Sequence, residues 1–183
     1  IKFDTVEDIL GWHEQGDGKW FCAVYVSQGR VKDADGPRYR SAFREIAQSL
    51  GLPFVITPNT NLIIADIAPD QRAAVVAILA KHSVPSPADM TAARKVAHAC
   101  VALPTCGLSL SESERVFGGV LDGIDAILRE LKLEKEPILI RMTGCPNGCA
   151  RPYIAEIGLV GRAPGSYNIY LGGGFSGDRL NKL

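Results

Sequence analysis

The chain has 183 residues, equal numbers of basic and acidic side chains (20 each), and a hydrophobic fraction of 46%. This composition suits one or two domains with a packed core and excludes intrinsic disorder. Because the net charge is zero and no basic block is present, we expect no nucleic-acid partner. The longest apolar stretches, such as Ala73 to Ala80, are too short to cross a bilayer, so we expect no membrane partner.

The cysteine content bears on the cellular compartment. Five cysteines cannot all form disulfides within one chain, and a chain of this length needs few of them, which favours a reducing, cytoplasmic location. No signal peptide is visible, and a chain that starts at Ile1 is expected to be a fragment or a processed product. Cys22 lies in the apolar segment from Trp20 to Val26, where we expect a strand and a small, buried, chemically inert side chain.

The first half of the sequence alternates strand and helix patterns. Gly51 is expected to end the first helix, and a Pro-Asp pair at Pro69 and Asp70 to begin the second. The predicted elements are a strand at 19–27, a helix at 37–50, strands at 54–57 and 62–67, and a helix at 69–81. This order resembles a ferredoxin-like α+β unit.

A Pro- and Ser-rich segment at 83–89 marks a boundary, after which the pattern changes. Strands are predicted at 137–142, 155–160 and 167–171, and an amphipathic helix at 111–131. Ser111 and Glu114 are expected to form a capping box at the start of that helix. The predicted inner stripe of the helix is Val116, Val120, Ile124, Ile127, Leu128 and Leu131.

Four cysteines form two pairs in this second half, Cys100-x5-Cys106 and Cys145-x3-Cys149. Pro104 and Gly107 disfavour a continuous helix at the first pair, and Pro-Asn-Gly makes a tight turn between the members of the second. Backbone N–H groups of such a turn can bond to sulfur and tune its potential. The spacing favours an iron–sulfur cluster, because zinc sites more often use C-x2-C pairs. Zinc and unligated structural thiols remain alternatives.

Taken together, these motifs resemble a known family. Cys100-x5-Cys106, then TGCPNGC, then ARPYIAEIGLVGRAPGSYNIYLGGG are similar to the sulfite and nitrite reductases that carry siroheme and a [4Fe–4S] cluster. The tail APGSYNIYLGGGFSGDRLNKL is most similar to the assimilatory, NADPH-linked sulfite reductase hemoproteins, and ITPNTNLIIADI to the family's second ferredoxin-like repeat. The resemblance covers essentially the whole chain and implies the C-terminal half of such a protein.

The resemblance implies an α+β fold in two domains. Residues 1–83 would form a ferredoxin-like half-domain, and residues 90–183 an α+β domain that binds siroheme and the [4Fe–4S] cluster. It implies that Cys100, Cys106, Cys145 and Cys149 ligate the cluster and that the Cys149 thiolate also bridges to the siroheme iron. The implied reaction is the six-electron reduction of sulfite to sulfide in sulfur assimilation.

The resemblance also implies what this chain lacks. The basic residues that bind sulfite in the family come mainly from the other half of the protein, so no catalytic residue is assigned here. Asn61 and Arg151 are candidates for siroheme contacts, with Asn59 and Arg141 as further ones. The implied partners are the N-terminal half of the same hemoprotein and an electron-donating flavoprotein subunit or ferredoxin. We therefore expect the chain alone to be inactive. A nitrite-reducing relative and a zinc-stabilised or metal-free module remain alternatives.

Overall fold

A computed structural model describes residues 8–183 and divides them into two compact units. One unit is Ile9–Met90, and the other contains Thr91–Leu183 together with Asp8. Residues 1–7, which the predicted first domain includes, lie outside the described residues. The functional domains 1–83 and 90–183 stay predictions. No helix in the part of the chain that the structure describes is long and apolar enough to cross a membrane.

The Ile9–Met90 unit is an antiparallel four-stranded sheet with two helices. Its sheet has the strand order β1-β2-β4-β3. The elements are β1 (Gly11–Glu14), β2 (Trp20–Val24), α1 (Tyr39–Leu50), β3 (Phe54–Ile56), β4 (Leu62–Ile67) and α2 (Arg72–Lys81). Strand β1 was not predicted, because its sequence GWHE carries no alternating apolar pattern and it forms by pairing with β2.

The predicted helix stop and the predicted role of Cys22 are both confirmed in this unit. Gly51 ends α1 in the left-handed conformation at φ 66°, which glycine adopts without steric cost. Cys22 lies in β2, is 5% exposed and packs in a core that includes Ile46, Ile64 and Val75. Burial raises the pKa of the Cys22 thiol to about 11, against a smaller lowering by Arg72, so the side chain stays neutral.

The Thr91–Leu183 unit is a second four-stranded sheet with one long helix. Its strand order is β5-β6-β7-β8, in which β5, β6 and β7 are parallel and β8 is antiparallel to β7. The elements are α3 (Ala92–Val96), β5 (His98–Ala99), α4 (Glu114–Glu130), β6 (Ile140–Thr143), β7 (Ile157–Ala163) and β8 (Ser166–Leu171). The parallel strands give the unit one edge at which their carboxyl ends meet.

The predicted inner stripe of α4 is correct for half of its six members: Leu128 is buried, and Val120 and Ile124 are partly buried against the core of the unit. The buried residues are Phe117, Leu121, Asp125 and Leu128, whereas three members of the predicted stripe are exposed: Val116 (37%), Ile127 (56%) and Leu131 (60%). The buried Asp125 concealed the true face, since a carboxylate is rarely expected in a core. Its burial is compensated, because Thr91 Oγ1 donates to it at 2.6 Å and Arg94 pairs with it.

The predicted capping box is also wrong. Helix α4 begins at Glu114 after Ser113, and no side chain caps it by a hydrogen bond. Ser111 is fully buried, and its hydroxyl instead accepts a hydrogen bond from the Gly165 amide at 3.2 Å. Ser113 donates to the Met142 carbonyl at 2.9 Å, which ties the start of α4 to β6.

Candidate functional site

The two cysteine pairs lie on loops that leave neighbouring parallel strands. Cys100 directly follows β5, and Cys145 follows β6 after one residue, Gly144. The register pairs Ala99 with Met142, and the Cys100 amide donates to the Met142 carbonyl at 3.1 Å. Because β5 and β6 are parallel neighbours, both loops start from the same edge of the sheet.

The Cys100 sulfur touches the loop that carries Cys145. Its Sγ atom accepts hydrogen bonds from the Gly144 amide at 3.3 Å and from the Thr143 hydroxyl at 3.4 Å. Donors of this kind tune the potential of a sulfur-bound metal. The loop that carries Cys100 and the loop that carries Cys145 are therefore in direct contact at a sulfur atom.

Two glycines allow this close approach. A Cβ atom on Gly144 would lie 2.6 Å from both the Ala102 Cβ and the Ser111 carbonyl oxygen. A Cβ atom on Gly161, in β7, would lie 2.3 Å from the Gly144 carbonyl oxygen. The Gly144 carbonyl also accepts hydrogen bonds from the Leu110 and Ser111 amides, both at 2.9 Å. Absence of side chains at both glycines is thus required for the packing of these loops.

The second pair spans a tight turn with one buried and one exposed thiol. The Gly148 amide donates to the Cys145 carbonyl at 3.3 Å, and Gly148 has a positive φ of 67°. Cys145 is 7% exposed, whereas Cys149 is exposed and Cys100 and Cys106 are intermediate. None of the five cysteines forms a disulfide, so all four loop thiols are chemically available as ligands.

The four loop thiols do not surround one point in this structure. Among residues 8–183, no three His, Cys, Asp or Glu side chains converge closely enough to hold one metal ion. A zinc ion needs four ligands around one point, and a [4Fe–4S] cluster needs four cysteines, one for each iron. The four cysteines as ligands, and the choice of a cluster over zinc, stay predictions.

Two arginines and a histidine lie close to these loops. His98 and Arg141 are paired across β5 and β6, and Arg151 follows Cys149 by two residues. Burial, and secondarily the charges of Arg141 and Arg151, lowers the pKa of His98 to about 4, so its imidazole is neutral at pH 7. Burial, and secondarily the charge of Arg151, lowers the pKa of Arg141 to about 10. The two arginines are therefore the cationic groups of this region.

Arg141 has no compensating partner among residues 8–183. Its Nε atom is buried without a hydrogen bond, and neither Arg141 nor Arg151 forms an ion pair within that range. An unpaired buried guanidinium is costly unless an anion binds to it. The region therefore fits a carboxylate-bearing ligand.

Asn61 lies in the other unit and has a structural role there. Asn61 is 4% exposed, and its side-chain Oδ1 accepts a hydrogen bond from the Val26 backbone amide at 3.0 Å. The backbone amide of Asn61 donates to Thr57 Oγ1 at 3.1 Å. The neighbouring candidate Asn59 is exposed. The cofactor contacts of both residues stay predictions.

Sequence reasoning missed several residues that shape the site. Thr143 and Gly144 precede Cys145 directly, so their place in TGCPNGC was the available signal for a contact with sulfur. Tyr153, whose hydroxyl donates to the Pro146 carbonyl at 3.0 Å, gave no such signal. Gly161 gave none either, because its partner Gly144 is distant in sequence.

Comparisons with known proteins show what the chain is similar to. The family profile "Nitrite/Sulfite reductase ferredoxin-like half domain" matches residues 13–82. The chain is 50% identical over 181 residues to the "Sulfite reductase [NADPH] hemoprotein beta-component" of Afipia carboxidovorans, covering 99% of this chain and 31% of that protein. It is 48% identical over 183 residues to the protein of the same name from Bordetella petrii, covering 100% of this chain and 31% of that protein. The chain is thus similar along its whole length to sulfite reductase hemoproteins, and residues 13–82 match the ferredoxin-like half-domain of the nitrite and sulfite reductases.

The fold assignment is confirmed by a solved structure. The structure of the Mycobacterium tuberculosis NirA protein superposes on this chain with a TM-score of 0.79 and 23% sequence identity. The superposition covers 100% of this chain and 34% of the NirA chain. The predicted α+β fold with a ferredoxin-like half-domain is thus confirmed. The chain spans about a third of the length of the curated relatives it matches.

Proposed function

We propose that this chain is the part of an assimilatory sulfite reductase hemoprotein that ligates a [4Fe–4S] cluster and contacts siroheme. The observation that carries the proposal is the contact between the two cysteine loops, in which Cys100 Sγ accepts a hydrogen bond from Gly144, the residue before Cys145. The relatives at 48–50% identity are named as hemoprotein β-components of NADPH sulfite reductase.

The four loop cysteines would hold the cluster, with different tasks for buried and exposed thiols. Cys145 is buried and Cys100 is already hydrogen-bonded at sulfur, so both can anchor the cluster on the protein side. Cys149 is exposed, so its thiol would be accessible both to the cluster and to siroheme. When bound, the coupled cofactors would supply the one-electron chemistry that reduces sulfite to sulfide with six electrons and accompanying protons.

Arg141 and Arg151 would bind siroheme carboxylates. A guanidinium binds a carboxylate through two parallel hydrogen bonds, and the buried Nε of Arg141 has no partner among residues 8–183. Arg151 is exposed and has a backbone held at a positive φ of 56°, where its amide donates to the Gly148 carbonyl at 2.7 Å. An anion in this position would pair with the Arg141 guanidinium, whose pKa is lowered first by burial and then by the charge of Arg151.

The remainder of the hemoprotein would be the first partner. Apolar side chains around the Cys100–Cys106 loop are exposed: Val101 (40%), Leu108 (73%) and Leu110 (43%). Apolar surface of this kind marks an interface with another domain. The sulfite-binding residues would lie in that domain, so this chain alone would not reduce sulfite.

An electron-donating flavoprotein subunit or ferredoxin would be the second partner. Free cysteines suit the reducing cytoplasm.

The test is iron–sulfur reconstitution of the 183-residue chain. Ferrous iron and sulfide are added under anaerobic conditions, and bound iron, acid-labile sulfide and visible absorbance are measured. We expect equal amounts of iron and sulfide and a brown protein. Cys145→Ser and Cys149→Ser should lose most of the bound iron, whereas Cys22→Ala should retain the wild-type amount. Equal iron in wild type and Cys145→Ser, or a colourless protein with one zinc ion, would overturn the proposal.

A second measurement separates the cofactor contacts from the cluster ligands. In the full-length hemoprotein, Arg151→Gln should lower the siroheme content while the cluster iron is unchanged. Arg129→Gln, at an exposed arginine in the last turn of α4, is the matched control and should leave the siroheme content unchanged. Unchanged siroheme content in Arg151→Gln would contradict the assignment of Arg151 but leave the cysteine ligands in place.

A further inference from the structure

Tyr153 closes over the turn that separates Cys145 from Cys149. Its hydroxyl donates to the Pro146 carbonyl at 3.0 Å. Its ring lies against Gly148, where an added Cβ atom would come within 2.9 Å of the Tyr153 Cε2 atom. Pro146 directly follows one cysteine and Gly148 directly precedes the other. One side chain therefore contacts both ends of the short segment between the two thiols.

Tyr153 is itself held firmly by the C-terminal segment. It belongs to a short 3₁₀ helix at Pro152–Ile154. The Asn181 amide donates to the Tyr153 carbonyl at 2.9 Å, and the buried Asn181 side chain donates to the Pro152 carbonyl at 2.6 Å and the Ala155 carbonyl at 3.0 Å. The Tyr153 ring also meets the Tyr170 ring of β8 edge to face, with centroids 5.5 Å apart. Tyr153 is thus anchored on the side that faces away from the turn.

The turn needs such support because its own backbone is weakly constrained. Residues 146–149 belong to no helix or strand, and Gly148 has a positive φ, a conformation in which glycine retains great freedom. A metal-ligating pair must be held to within about 0.5 Å by surrounding contacts to keep its geometry. Burial, Tyr170 and Cys145 raise the pKa of Tyr153, so the phenol remains a hydrogen-bond donor at neutral pH.

We propose that Tyr153, braced by Asn181, is a positioning residue that sets the placement of the Cys145 and Cys149 thiols. Its importance for a cluster rests on the proposed function, but the bracing itself acts on the polypeptide and is measurable without metal. Loss of the brace opens the turn and exposes the buried Cys145 thiol.

The first experiment measures thiol exposure in the reduced, metal-free 183-residue chain. The chain is treated with iodoacetamide under native conditions, and the alkylation of Cys145 and Cys22 is followed by mass spectrometry of peptides. Loss of one hydrogen bond in Tyr153→Phe should raise the Cys145 rate, relative to Cys22, by about three- to ten-fold. Tyr153→Ala, which also loses the ring contact with Gly148, should raise it further. Asn181→Ala should act in the same direction.

Tyr170→Phe is the matched control, since it removes a phenol hydroxyl from the same ring pair but leaves the bond to Pro146. It should change the Cys145 rate by no more than about two-fold. Since Cys22 lies in the other unit, it reports general unfolding. A Cys145 rate that is equal in Tyr153→Phe, Tyr153→Ala and Tyr170→Phe would overturn the proposal, as would a parallel rise at Cys22.

The second experiment follows the midpoint potential of the reconstituted chain. Tyr153→Phe should shift the potential, whereas Tyr170→Phe should not, because only the former changes the turn that carries two ligands. If wild type binds no iron but the Tyr153 variants expose Cys145 selectively, the proposed function fails and the bracing stands. If wild type binds iron and the Tyr153 variants leave both alkylation and potential unchanged, the bracing fails and the proposed function stands.

Discussion

The two units place cysteine in opposite environments. In the Ile9–Met90 unit, Cys22 is surrounded by branched and aromatic side chains of a closed core, and burial raises the pKa of its thiol to about 11. In the Thr91–Leu183 unit, Cys100 sits on a loop at a sheet edge, where backbone and hydroxyl groups donate to its sulfur. Side-chain packing thus makes a thiol inert, whereas loops joined through glycines present a sulfur atom that can act as a ligand.

The units also differ in how they treat charge. In the first, Lys81 and His82 both contact Glu45, whose pKa is lowered by those hydrogen bonds. In the second, the Nε atom of Arg141 is buried without a hydrogen bond among residues 8–183. The paired charge at Glu45 supports the fold of its own unit, whereas a buried cationic atom left unpaired is typical of a binding site.

The largest expected effect concerns the core of the Thr91–Leu183 unit. Phe117 is fully buried, so Phe117→Ala should lower the free energy of unfolding of this unit by about 3–5 kcal/mol. Ile127→Ala on the same helix, at a side chain that is 56% exposed, should change it by less than about 0.5 kcal/mol. Denaturant-dependent amide exchange, resolved by peptide, measures each unit separately. Equal losses in both variants would contradict the assignment of the buried face.

The next effect tests whether Cys22 is inert. Its pKa is 9.0 ordinarily and about 11 in the folded chain, so unfolding favours deprotonation. The stability that the protonated Cys22 thiol gives to the folded chain is fully present below pH 9 and is lost as the pH rises through 11. The free energy of unfolding should fall by at most about 3 kcal/mol over this range. The contribution of Cys22 is the difference between wild type and Cys22→Ala in how the free energy of unfolding changes from pH 9 to pH 11. A wild-type protein whose alkaline slope matches that of the variant would contradict the burial of this thiol.

A smaller effect tests the glycine contact at the cysteine loops. In Gly161→Ala the new Cβ would meet the Gly144 carbonyl, which is backbone and cannot rotate away, so a loss of about 1–3 kcal/mol is expected. Gly119→Ala, on the exposed side of α4 with open space around it, should instead stabilise the unit by up to about 1 kcal/mol. Thermal unfolding of both variants checks the signs. Stabilisation by Gly161→Ala would show that the loops do not pack through this glycine.

The smallest effect tests a single hydrogen bond near the start of α4. The Tyr167 hydroxyl donates to the Glu112 carbonyl at 2.7 Å, and Tyr167→Phe should cost about 1 kcal/mol. The free energy of unfolding in urea measures this loss, and Tyr170→Phe serves as the comparison. A Tyr170→Phe variant that lost as much as Tyr167→Phe would show that the hydrogen bond is not the cause.

Prediction from sequence succeeded where local signals dominate. The strand at Leu62–Ile67 and the stop of α1 at Gly51 follow from β-branched runs and from the conformational freedom of glycine. It failed for β1, which has little propensity of its own and exists through its pairing with β2. It was only half right for the inner face of α4, since the burial of Asp125 depends on Thr91 and Arg94, which are far away in sequence.

The sequence by itself determined the resemblance to the nitrite and sulfite reductases, the two cysteine pairs and the inert character of Cys22, because each of these depends on residue type and short-range spacing. Only the tertiary structure decided that the loops meet at the Cys100 sulfur, that Gly144 and Gly161 permit it, and that Tyr153 covers the second turn. Those contacts join residues between 5 and 44 positions apart, and their geometry depends on the parallel pairing of β5 with β6 and of β6 with β7. Such pairing arises from the packing of the whole unit and leaves no mark in the local sequence.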